Sequence, residues 1–285
     1  MMMNPIYERE RRASARKGKL PVFFAVFNGF LAAVAMFAVI VTFRQMDKTG
    51  QISYGSFLQV FRSLGWILFA FVAAVMPALT AGSISGERER RTLDLILTTR
   101  MTTADIVLGK LMSAMSVILV MLLSSLPVFM TVLLYGGVRI RDLPVPAVCI
   151  LLTALVSGSM GIFFSALCRR TATAAAVAYG AEIALFLGPF ALYYLMQGIA
   201  SAPDAFRWLL MSSPVTVFSA AISGITGGSM QFPELFARGR GNVLHSPIFL
   251  AGCFFQLLLC AVFLTTAAVL ISPGRKTGER SVRKL

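Results

Sequence analysis

Of the 285 residues, 57% are apolar and only 13% charged, and the mean hydropathy is +0.79. This excludes a water-soluble globular domain, in which about a quarter of the residues carry charge. The formal charge of +14 would suggest nucleic acid as the partner of a soluble protein, but here its placement along the chain explains it otherwise, and no nucleic-acid role is expected. Cys149, Cys168, Cys253 and Cys260 fall in or beside apolar segments without CxxC spacing, and His245 is the one histidine, so neither a metal site nor a disulfide framework is indicated.

Residues 1–19 are polar and strongly basic. Asn4 is placed to cap a helix, Pro5 suits its first position, and Glu8 and Glu10 precede Arg16, Lys17 and Lys19, as the helix dipole favours. The expectation is an interfacial helix on the cytoplasmic leaflet, with Pro21 turning the chain into the bilayer. An apolar stretch of about 20 residues spans a hydrocarbon core, and six are present, approximately Leu20–Phe43, Phe61–Ser83, Ile106–Tyr135, Leu143–Leu167, Thr173–Gln197 and Ile248–Ile271. The first is too long for a signal-peptide core. The predicted fold is therefore one all-α integral membrane domain with six transmembrane helices. Eighteen of the 26 Lys and Arg residues lie in the tail 1–19, the 85–105 segment and its flank, the 168–172 connection and the tail 272–285. By the positive-inside rule both termini are cytoplasmic, and the basic charge is mainly topological.

Between the second and third spans, Glu87 to Asp94 contains six charges in eight residues, and Leu93, Leu95, Ile96 and Leu97 follow as an apolar face. Such a segment cannot lie in hydrocarbon. It predicts a short amphipathic cytoplasmic helix suited to docking a soluble partner. Thr102 and Asp105 have capping-box spacing and predict the start of the next helix.

Glu182, the one acidic residue well inside a span, lies near the predicted midplane of the fifth. It either faces a substrate path or ties spans together. The 198–247 connection carries an apolar stretch, 206–225, broken by Ser212, Ser213 and Pro214. A seventh span there would put the basic C-terminal tail outside, so two short re-entrant helices before the last span are predicted, with Trp208 at the interface.

The segment 84–110 resembles the signature of type-2 ATP-binding-cassette exporter permeases. The matching residues are Gly86, Glu87, Arg88, Thr92, Leu93, Asp94, Ile96, Leu97, Ile106, Gly109 and Lys110, and the basic NPIYxRE opening, six spans and long connection before the last span fit as well. Arg100 stands where such proteins usually have proline. The resemblance implies that Glu87–Leu97 is the coupling helix that receives the movements of a separate ATPase, with Glu87, Arg88, Glu89, Arg91, Thr92, Leu93, Asp94, Leu95 and Leu97 at the contact. It also implies an outer gate around Trp208 and Pro214, two ATPase subunits and a second permease chain, identical or paralogous, in the bacterial inner membrane. With no G-x-x-x-x-G-K-[ST] in the chain, ATP and Mg are expected on the partner, and this chain is expected to be non-catalytic and to bind no cofactor itself. An ion-gradient-driven carrier using Glu182 is the alternative. An intramembrane hydrolase lacks its constellation, since neither H-E-x-x-H nor G-x-S-x-G occurs.

Overall fold

In a computed structural model, residues 19–49, 54–92, 102–134, 138–199, 207–226 and 247–272 are described. Among them the secondary structure is entirely helical. Six long helices form the body: α1 (Lys19–Thr49), α2 (Tyr54–Thr80), α4 (Thr103–Leu134), α5 (Pro144–Leu167), α6 (Thr171–Ile199) and α9 (Pro247–Ile271). Three short α-helices, α3 (Ser85–Glu89), α7 (Arg207–Leu210) and α8 (Pro214–Thr226), and one 3-10 turn at Ile140–Asp142 complete it among the described residues. All six long helices are apolar enough to cross a bilayer, as the composition requires. The second span begins at Tyr54, before the expected Phe61, because Arg62 near its end does not interrupt the helix. The predicted N-terminal interfacial helix and the tail 272–285 beyond Ser272 lie outside the described residues.

Helix α5 is the central post. It packs against α9, α2, α4, α6 and α8, and 61% of its most apolar window is buried against 17% for α1 at the periphery. Its run Ser157–Ile162 is wholly buried, and two glycines in it admit α2 to close range. A Cβ on Gly161 would stand 2.0 Å from Thr80 Oγ1, and one on Gly158 would stand 2.4 Å from Met76 Cε and 2.9 Å from Leu111 Cδ1. Close approach between helices through small residues replaces the hydrophobic drive that lipid does not supply. Helix α1 is held by an Asn28 Nδ2 bond to Ser124 Oγ on α4, 2.9 Å, and by Phe27 stacked on Phe71 with centroids 3.9 Å apart.

The connection before α9 folds back into the protein. Ser213 caps α8 by accepting from Val215 N at 3.3 Å and donates to Phe186 O at 2.9 Å, while Pro214 occupies the first helical position, where its missing N–H has no role. The residues of α8 from Thr216 to Ile222 are buried, with Phe218 stacked on Phe69 and edge-on to Trp66. Phe218 meets α2 at Phe69 and Ile222 meets it at Gly65, so α8 runs from the bilayer interior back toward the Tyr54 end. Two short helices precede the last span, as expected, and α8 is packed within the protein. Its position follows from small residues on its neighbours, Gly65 and Gly252, where an added Cβ would meet Ile222 and Val217 at 2.7 Å.

Candidate functional site

The chain leaves α2 through a turn at 81–84 and enters α3 while still inside the bundle. Ile84 and Ser85 are fully buried, and their backbone N–H groups both donate to Ser165 Oγ of α5 at 2.9 Å. One hydroxyl thus satisfies two amides that a helix start leaves open. Ser85 Oγ in turn donates to Ala81 O at 3.0 Å.

Each of the three charged residues of α3 reaches a different helix. Lys110 Nζ of α4 donates to Glu87 Oε1 at 2.8 Å and to Ser83 O at 2.7 Å. Arg88 Nη1 donates to Cys168 O, just past the end of α5, at 3.2 Å; a cation there also complements the negative end of that helix. Glu89 accepts from Thr171 N at 2.9 Å and from Thr171 Oγ1 at 3.0 Å, so it caps the first turn of α6 from a distant part of the chain. The five-residue α3 thereby grips the ends of α4, α5 and α6 at once.

The helix then stops. Thr92 N donates to Glu87 O at 2.9 Å and Arg91 N to Arg88 O at 3.1 Å, the paired bonds of a Schellman motif. Arg91 takes the positive-φ position at 57°, which glycine usually occupies and where a larger residue carries about 1–2 kcal/mol of strain. A continuous helix from Glu87 to Leu97 is therefore not formed: α3 starts two residues earlier, at Ser85, and ends at Glu89. Of the residues expected to face a partner, Glu87 and Arg88 are half-buried and bonded to neighbouring helices, whereas Glu89, though bonded to Thr171, is exposed, as are Arg90, Arg91 and Thr92. Leu93, Asp94, Leu95 and Leu97 lie outside the described residues. The chain is described again at Thr102, where the capping box is present in both directions: Asp105 N donates to Thr102 Oγ1 and Thr102 N to Asp105 Oδ2, each 3.2 Å.

The sequence reading named Lys110 as a motif residue without a role, and it missed Ser165, Cys168 and Thr171. Lysine this deep in an apolar helix was a legible signal that a carboxylate lies nearby. Nothing local marked the other three, whose partners are some 80 residues away.

Glu182 is 5% exposed and sits eleven residues into α6, about 16 Å along its axis. Ser157 Oγ of α5 donates to its Oε1 at 2.6 Å. One turn earlier, Tyr179 OH donates to Ala74 O of α2 at 2.7 Å. These two bonds tie α6 to α5 and α2. Glu182→Gln retains an acceptor for Ser157 and should leave monodispersity and transport near wild type, whereas Glu182→Leu should lower the melting temperature in detergent. Altered transport by a normally assembled Glu182→Gln protein would instead place the group on the path. At the opposite end, Pro214 is buried at the start of α8; Trp208 belongs to α7, but its side chain lies outside the described residues.

Three features occur together in one protein: six apolar spans, a charged link bonded to three helices after the second, and a short buried helix before the last. No curated protein matches the chain. A family model described as ABC-2 family transporter protein matches residues 5–272, and the chain belongs to that family of ATP-binding-cassette permeases.

Proposed function

We propose that the chain is the substrate-conducting subunit of an exporter, with the end carrying Ser85–Thr92 in the cytoplasm, docked on a separate ATPase that binds ATP and Mg. On this reading it is non-catalytic, binds no cofactor of its own, and works in the bacterial inner membrane beside a second permease, served by two ATPases. The observation that carries the reading is the three-way attachment of α3 through Glu87, Arg88 and Glu89. A push on the chain beyond Arg90 reaches three spans through charge-assisted bonds. A gradient-driven carrier centred on Glu182 fits less well, because Ser157 and the packed helices close off that carboxylate.

The apolar residues after the Schellman turn supply the partner's anchor in this reading. Truncating a buried interface anchor commonly costs above about 1 kcal/mol. Leu93→Ala combined with Leu95→Ala should therefore reduce recovery of the ATPase on the purified permease, or uncouple hydrolysis from transport, while insertion is unchanged. Wild-type recovery and coupling would sink the docking assignment. Orientation is tested separately. Cysteines at Lys48 and Gly239 should react with an impermeant maleimide in intact cells and one at Thr277 should not, and the reverse pattern would put the ATPase on the wrong side.

A further inference from the structure

A groove of about 210 Å³ opens between α2, α4, α5 and α8. Its lining runs on one side from Leu143, beside the start of α5, to Leu151, and on α4 from Leu119 to Phe129, a length of about 15 Å at 1.5 Å per residue. Ser125 is the one polar side chain in its lining, and that hydroxyl already donates to Leu122 O at 2.8 Å. Water would find no partner there, and apolar cavities of this kind stay dry. On one side the groove is open: Leu119, Leu123 and Leu126 are 48%, 56% and 39% exposed, facing hydrocarbon at the level of the spans.

The mouth is chemically different from the walls. Arg139 and Arg141 lie four and two residues before Leu143 and are both exposed, while Asp142 between Arg141 and Leu143 is half-buried, so the mouth carries a net positive charge. Among the described residues neither forms an ion pair. Guanidinium groups in this position suit a phosphate oxyanion. A second copy of the chain seated symmetrically on the groove would bring these arginines against their own counterparts, an unfavourable meeting of like charges.

We propose that this groove is a lipid site, holding one acyl chain of an anionic phospholipid from the surrounding leaflet while Arg139 and Arg141 bind its phosphate. Burial of each methylene along such a wall is favourable only to the extent that the groove packs the chain better than bulk lipid does, so the arginines provide the selectivity. The bound chain touches Ile222 of α8 and the edge-on pair Phe61 and Phe129. Occupancy is therefore felt by α8. The assignment depends on the spans alone and not on which face is cytoplasmic, so it stands or falls apart from the export reading.

The test uses the full chain in nanodiscs containing phosphatidylglycerol carrying a photoreactive diazirine on its acyl chain, with the matched phosphatidylcholine probe as control. Adducts mapped by peptide mass spectrometry should concentrate on residues 119–129 and 143–151, several-fold more with the anionic probe. Ala147→Phe, which fills the groove, should abolish these adducts while those on the exposed face of α1 persist. Arg139→Gln with Arg141→Gln should equalise the two probes while the protein remains monodisperse, a readout that holds even if Ala147→Phe fails to fold. Labelling spread evenly over α1, α4 and α9 and indifferent to these substitutions would overturn the proposal. So would a Leu123→Cys protein that forms disulfide-linked dimers and shows no groove adducts, since a second copy would then cover the site.

Discussion

Lys110→Met should leave the permease inserted but lower its melting temperature and separate ATP hydrolysis from transport. The lysine is 5% exposed, and its ammonium holds both Glu87 Oε1 and Ser83 O. Removing one partner of a buried ion pair leaves an uncompensated charge at a loss of about 3–5 kcal/mol. The lower end applies, because the Glu87 side chain is 25% exposed and retains some access to solvent. Replacing both partners, as Glu87→Gln with Lys110→Met, removes the orphaned charge and should restore much of the stability. Coupling should remain impaired in that double variant, since α3 is no longer tied to α4. Melting curves in detergent and substrate-dependent ATP hydrolysis of the assembled transporter separate the two effects. Unchanged hydrolysis and transport in both variants would reduce the pair to a packing feature.

Gly161→Ala should destabilise the bundle although alanine is the better helix former. Intrinsic propensity favours alanine by about 1 kcal/mol. Against this, the new Cβ would fall 2.0 Å from Thr80 Oγ1, 3.1 Å from Thr80 Cβ and 3.4 Å from the backbone N of Ala81. Thr80 is short, stiff at χ1 and bonded to Met76 O at 2.8 Å, so α2 and α5 must move apart. Overpacking of this kind is typically worth about 1–3 kcal/mol, and losing register here also loosens the Ser165 grip on Ile84 and Ser85. Gly158→Ala is the internal control. Its closest contacts are the flexible ends of Met76 and Leu111, which can rotate away, so the drop in melting temperature should be smaller. Equal melting temperatures for the two variants would mean that the α2–α5 contact is softer than its geometry indicates.

Six spans, their order and the start of the third were legible in the sequence because each depends on local chemistry. An apolar run long enough to cross hydrocarbon has no other stable fate than a helix. The reciprocal Thr102–Asp105 cap is set by residues three apart, and Ser213–Pro214 breaks the 206–225 stretch by a missing donor and a side-chain cap. The charge density from Glu87 to Asp94 likewise announced a segment that hydrocarbon rejects. The use made of those charges was a different matter. A free amphipathic helix and a clamp bonded to neighbouring helices require the same local composition. Only the positions of Lys110, Cys168 and Thr171 in space decide between them. The same holds for Glu182, whose two readings differ by whether Ser157, 25 residues earlier, happens to lie opposite. It holds too for α8, whose apolar length matches lipid and protein interior equally, until Gly65 and Gly252 leave room for it inside. Sequence alone therefore determined which groups must avoid hydrocarbon and where helices begin. Tertiary structure decided which partner satisfies each buried charge, because such bonds join residues far apart in the chain.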